Sequence, residues 1–128
     1  DSYVHLEIDL LFAQLALGEH EKAVKKADEI RRNQKNSTNN NILYRLACIY
    51  SLSIPAVEEA RRPGMLTSAD KALQAEYKDK ALESLENSLF YGNREYFEIR
   101  TDADLIPIRS DPRFEKTLAS YMKKNKKK

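Results

Sequence analysis

Between positions 4 and 17 the apolar residues recur at intervals of three and four, a spacing that predicts a helix. Val4, Ile8, Leu11 and Leu15 make one stripe; Leu10, Ala13 and Leu17 make a second, which predicts burial on more than one side. Gly18 ends this helix, because glycine accepts the left-handed conformation that stops one. A second helix is expected over about 19–34, with Ala23, Val24, Ala27 and Ile30 on one face. So short a connection makes the two an antiparallel hairpin. The polar stretch 33–41 reads as the next loop.

A third helix over about 40–54 turns Leu43, Leu46, Ala47 and Tyr50 inward and is expected to close near Pro55. Arg61-Arg62-Pro63-Gly64 is a turn signal, and Thr67-Ser68-Ala69-Asp70 is a capping sequence that opens a long helix. Its stripe is Leu73, Tyr77, Ala81, Leu82, Leu85 and Leu89, and Gly92 stops it. Short helical turns follow over about 95–100 and 104–109. Asp111-Pro112, a cap followed by a first-turn proline, starts the last helix, which points Phe114, Leu118 and Tyr121 or Met122 inward. The pattern predicts an all-α fold.

Composition narrows this further. With 128 residues, 41% of them hydrophobic and 33% charged, and only three Gly, the chain suits one soluble helical domain. No apolar run approaches the roughly 18 residues of a membrane span. The opening Asp1 reads as the start of an excerpt, so targeting signals are expected outside it. The single Cys48 excludes an internal disulfide and fits a reducing, cytoplasmic setting. The net charge of +2 conceals five lysines in the last six residues; without them 17 basic residues (22 less five) face 20 acidic ones. The body therefore offers no basic field for nucleic acid. The tail over 123–128 is expected to be disordered, and weak binding of acidic polymers through it is the alternative to a protein-binding role.

Leu10-Leu11 and Leu46-Ala47 hold equivalent places in two successive hairpins, 36 residues apart, close to the roughly 34-residue period of tetratricopeptide repeats. Gly18, His20 and Ala23 resemble that family's Gly-x-Tyr-x-x-Ala opening of its second helix, with His20 in place of the aromatic. Leu46-Ala47 with Tyr50 matches its first helix, and Ala81 with Leu85 its second. The repeat-ending proline is absent, and Tyr77 precedes Ala81 by four residues rather than three. Residues 102–114, with Asp104-Leu105-Ile106-Pro107-Ile108-Arg109 and Asp111-Pro112-Arg113-Phe114, resemble the closing segment of repeat domains attached to bacterial serine/threonine kinases. Residues 46–52 look similar to the same proteins.

The resemblance implies antiparallel helical hairpins stacked as an α-α superhelix. Repeats would span about 4–37 and 40–92 with an insertion near 55–67, followed by a capping segment over 95–122. It also implies a protein or peptide partner. Laid on the repeat pattern, the groove-facing positions are His5, Ile8 and Phe12, then Asn41, Tyr44, Cys48 and Ser51. Phe12 and Cys48 stand where a carboxylate clamp would need Asn, so a mixed aromatic and apolar strip is expected instead. The C-terminal helices could equally fold back and fill it.

Catalytic chemistry is hard to assemble from this chain. All three glycines sit at turns, which excludes phosphate loops. Cys48 lies mid-helix beside Ala47 with only Arg45 and Tyr44 as nearby polar groups, and reads as a small, buried and inert residue. His5 and His20 lie on different helices with no further ligands converging, so no metal or cofactor is expected. The pairs Glu58-Glu59 and Asp102/Asp104 read as solvated or helix-end acids. The expected role is a non-catalytic interaction or scaffold module of a signalling protein.

Overall fold

The computed structural model describes residues 2–33 and 39–126, and among them every regular element is a helix. The order is α1 (Ser2–Ala16), α2 (His20–Asn33), α3 (Asn40–Arg61), α4 (Ser68–Phe90), α5 (Tyr96–Thr101), a 3-10 turn (Ala103–Leu105), α6 (Ile106–Arg109) and α7 (Pro112–Lys126). No helix is long and apolar enough to cross a membrane among the described residues.

Helices α1 and α2 form an antiparallel hairpin. Gly18 makes the turn at φ +83°, where a side chain would be strained. Glu19 N donates to Gln14 O (3.0 Å) beside the turn, and Lys26 meets Glu7 (3.1 Å) farther out. Helices α3 and α4 form a longer hairpin. The Asn39 side chain caps α3 by accepting from Asn41 N (3.0 Å) and Ile42 N (3.2 Å). Thr67 and Asp70 form the predicted capping box of α4. Asp70 also accepts from Arg61 Nε (2.7 Å), and these bonds hold its carboxyl well below the usual range. At the far end Ser88 Oγ donates to Asn40 O (2.7 Å).

The two hairpins lie side by side. Arg45 of α3 donates to the His5 carbonyl (3.2 Å) and pairs with Asp9 on α1. Lys80 and Glu83 of α4 meet Asp28 (3.0 Å) and Arg31 (2.6 Å) of α2, so these contacts advance together and α2 and α4 run in the same direction. Ala23, Ala27, Ala47 and Ala81 are fully buried and permit close approach where Leu would hold the helices apart. Leu46, Ile49, Tyr50 and Leu85 fill the space between. The C-terminal segment closes the far side: Ile99, Leu105 and Ile108 are fully buried, with α6 and the 3-10 turn against α3 and α7 against α4.

Three expectations are corrected. Helix α3 does not close near Pro55 but continues to Arg61. An interior proline costs a helix about 3 kcal/mol, and packing against α4 offsets this: Val57 is buried, and Gln74 Nε2 of α4 donates to the Ile54 carbonyl (3.0 Å). The supposed insertion near 55–67 is therefore mostly helix, lengthening α3 to 22 residues against the 23 of α4. The lysine segment is not disordered from 123, because α7 continues to Lys126. Lysines suit a helix C-terminus, where the backbone dipole is negative, and Asn125 is anchored to the Tyr96 hydroxyl. Residues 127–128 of that tail, and 34–38 of the predicted loop, lie outside the described residues.

Candidate functional site

The strip expected to face a groove does not form a continuous surface. Ile8 and Ser51 are 0% exposed and belong to the core, so neither can meet a partner. The reason is geometric: each lies on the face of its helix that turns toward the rest of the stack. Cys48 and Tyr44 are also buried, while His5 and Phe12 are half-buried and Asn41 is exposed.

What covers the strip is the C-terminal segment. The Tyr44 hydroxyl donates to Asp102 Oδ2 (2.5 Å), and Asp104 N donates to Asp102 Oδ1 (2.9 Å). Arg109 donates to the Asp102 carbonyl (2.5 Å). Asp102 thus clamps the 3-10 turn onto α3, and Leu105 and Ile108 are sealed beneath it. A shallow cleft of ≈ 430 Å³ remains, bordered by Phe12, Asn41, Arg45, Glu98 and Asp104. Its lining mixes the aromatic and apolar Phe12, Tyr44 and Cys48 of the expected strip with the charged Arg45, Glu98, Asp102 and Asp104.

The same cleft contains the one group of possible metal donors among the described residues: Cys48, Asp102 and Asp104, whose ligand atoms lie within 4.8 Å of one another. Burial, then the two carboxylates, pushes the Cys48 thiol up, which favours the thiol over the nucleophilic thiolate. Burial and the bond to Asp102 likewise push the Tyr44 phenol up. Both oxygens of Asp102 are already engaged by Tyr44 and the Asp104 amide. The geometry is that of a structural clamp.

An open apolar surface lies elsewhere, on α1, apart from the exposed Met65, Phe90, Phe97 and Ile106. Tyr3 (70% exposed), Leu6 (57%) and Leu10 (60%) line its outer face together with exposed Ala13, and Leu17 (76%) follows in the turn just past its last residue. The sequence predicted burial for the stripe of Leu10, Ala13 and Leu17; the structure leaves it in solvent. Helix α1 is covered on one side only, by α2 and α3. At its C-terminal end the stripe runs through Ala16 into an apolar trough of ≈ 530 Å³ lined by Phe12, Leu15, Leu52, Pro55 and Ala56. No family model, curated protein or solved structure matches this chain.

Two features escaped the sequence reading. One is the outer face of α1: the stripe was legible, but nothing in it said which stripe the fold would leave bare. The other is a polar junction between α2, α3 and α4. The Tyr50 hydroxyl donates to Asp28 Oδ1 (2.6 Å), Lys80 meets the other oxygen of Asp28, and the Arg31 and Lys80 cations lie over the Tyr50 ring (5.9 Å each). Nearby, His20 Nδ1 and the Tyr77 hydroxyl share a buried hydrogen bond (3.0 Å), and burial raises that hydroxyl to about 12. Every polar group in this junction has a structural partner, so it locks the hairpins in register.

Proposed function

We propose that the chain is a non-catalytic protein-interaction module whose docking surface is the outer face of α1. The observation that carries this reading is the exposed apolar stripe Tyr3, Leu6, Leu10, Ala13 and Leu17. A contiguous apolar surface of this kind on a folded domain marks a contact site for another protein. Spacings of three and four suit it to a helix laid alongside α1.

The hairpin pairs running in the same direction support an α-α stack of the tetratricopeptide type, in which each hairpin buries its surplus apolar surface on a neighbour. The likeness of residues 102–114 to the closing segment of repeat regions on bacterial serine/threonine kinases supports a place in a larger cytoplasmic signalling protein of that kind. The clamp at Asp102 covers part of the inner strip, which favours the α1 face as the one that meets a partner.

The test uses a fluorescent amphipathic peptide with leucine at its a and d positions. The wild-type chain should bind it saturably, and Leu10→Glu should abolish binding without lowering the melting temperature. Equal binding by both proteins would remove the α1 face from the account.

A further inference from the structure

We infer that the outer face of α7 binds the phosphate backbone of a nucleic-acid duplex without reading its sequence, a role separate from that of the α1 surface. The chain is slightly acidic once the five lysines of residues 123–128 are set aside. Because α7 continues to Lys126, three of those lysines are held on a folded surface. Phe114 and Leu118 are buried and Asn125 is anchored to the Tyr96 hydroxyl, which fixes the rotation of the helix. Lys116, Ala119, Ser120, Lys123, Lys124 and Lys126 are exposed. At about 100° and 1.5 Å per residue, Lys116 and Lys123 run along the middle of that face roughly 10 Å apart, with Lys124 and Lys126 to either side.

These charges are uncompensated. Other lysines of the fold, such as Lys26 with Glu7 (3.1 Å) and Lys80 with Asp28 (3.0 Å), are matched within the chain. No carboxylate among the described residues pairs with Lys123, Lys124 or Lys126, and Lys124 lies instead over the Tyr121 ring (4.8 Å). The one carboxylate of α7, Glu115, is taken by Arg100 of α5. A row of unmatched cations attracts a partner of dense negative charge, and a duplex offers one charge per about 1.7 Å of its axis.

The neighbours of the lysines decide among anionic partners. A helix held at a bilayer surface buries large apolar side chains beside its cations, and only Ala119 and Ser120 are exposed between these. An acidic protein would be anchored by an aromatic or arginine side chain. Arg113, the one arginine of α7, is already held by Asp79 and Asp111 (3.0 Å each). Single strands are gripped by stacking on aromatic rings, and Tyr121 is half-buried with Lys124 over it. Lysines acting as point charges on duplex phosphates fit what is present, and such contacts carry no sequence information.

Fluorescence anisotropy of the full chain with a labelled DNA duplex of about 20 base pairs tests the assignment. The wild type should bind with a dissociation constant of roughly 10–100 μM near about 50 mM salt, and a log–log salt slope of about −3 should show three to four phosphates contacted. Lys123→Gln with Lys124→Gln should weaken binding about tenfold or more. Lys25→Gln with Lys71→Gln removes the same charge from exposed positions on α2 and α4 and should weaken it less than about twofold. Glutamine keeps helix propensity, so both pairs should melt as the wild type does. Equal losses for the two pairs would show attraction to net charge alone and overturn the role of α7. Absence of binding, indifference to salt, or preference between two unrelated duplex sequences would refute the proposal. Tighter binding to anionic phospholipid vesicles than to the duplex, at equal phosphate, would replace the nucleic acid with a membrane surface. The leucine peptide should not compete with the duplex, so failure here leaves the reading of α1 standing.

Discussion

Helices α1 and α3 open successive hairpins and begin from similar apolar patterns, but they meet solvent differently. The face of α3 that α1 and α4 leave uncovered is closed by the 3-10 turn and α6, which bury Leu105 and Ile108 and fasten Tyr44 to Asp102. No described element does this for α1, and Leu6, Leu10 and Leu17 stand in water. The difference shows how a hairpin stack divides its apolar residues: those facing a neighbour are buried, and those that no described element covers stay in solvent. The α1 stripe is thus distinguished from the α3 core by its position in the stack, not by its composition.

That contrast can be broken most severely at Ala47, which is fully buried between helices of the stack. Ala47→Glu places an unpaired charge there and should cost roughly 4 kcal/mol, enough to unfold a marginal domain. Glu58→Ala, at an exposed position, should leave the urea midpoint unchanged. Equal midpoints for the two variants would show that α3 is not the core of the molecule.

A sharper version stays within one helix. Ile8→Ala should cost about 2–4 kcal/mol, as core truncations do, whereas Leu10→Ala, two residues along and facing outward, should change stability by less than about 0.5 kcal/mol. Similar losses at both positions, measured by chemical denaturation, would mean that the outer face of α1 contributes to folding. The clamp comes next in size. Tyr44→Phe leaves Asp102 Oδ2 without its hydrogen bond in a half-buried setting and should cost about 1–2 kcal/mol. Amide exchange should then accelerate over residues 102–109 but not over α1.

Which features could be read in advance follows from the range of the forces involved. Gly18, Gly92 and the Thr67–Asp70 cap act within a few residues, and each marks its boundary as expected. Pro55 was read by its local preference, which contacts from α4, about twenty residues farther along the chain, overrule. The strip of Ile8, Phe12, Tyr44, Cys48 and Ser51 could not be resolved into buried and exposed members, because that depends on a bond between Tyr44 and Asp102 across 58 positions. Periodicity identifies the apolar faces of a helix; only the arrangement of neighbours decides which face remains bare.

The smallest effect expected concerns pH and the end of the stack. Hydrogen bonds from the Arg113 side chain and amide hold the Asp111 carboxyl at about 2, below its ordinary 3.8. A carboxyl lowered by folding contributes stability that is full above its unfolded value and lost as pH falls through the folded one. Stability should therefore decline between about pH 4 and pH 2, and Asp111→Asn should decline less steeply across that window. Parallel curves of urea midpoint against pH would contradict this role for Asp111.

The central claim, that the outer face of α1 is a contact surface and not part of the core, is tested most directly at position 10. The only native cysteine, Cys48, is buried, so Leu10→Cys can be labelled selectively with an environment-sensitive fluorophore. The account predicts rapid labelling, an unchanged melting temperature, and a blue shift in emission as the leucine peptide is added. A label that attaches only after unfolding, or whose emission stays that of a water-exposed probe with the peptide present, would contradict it.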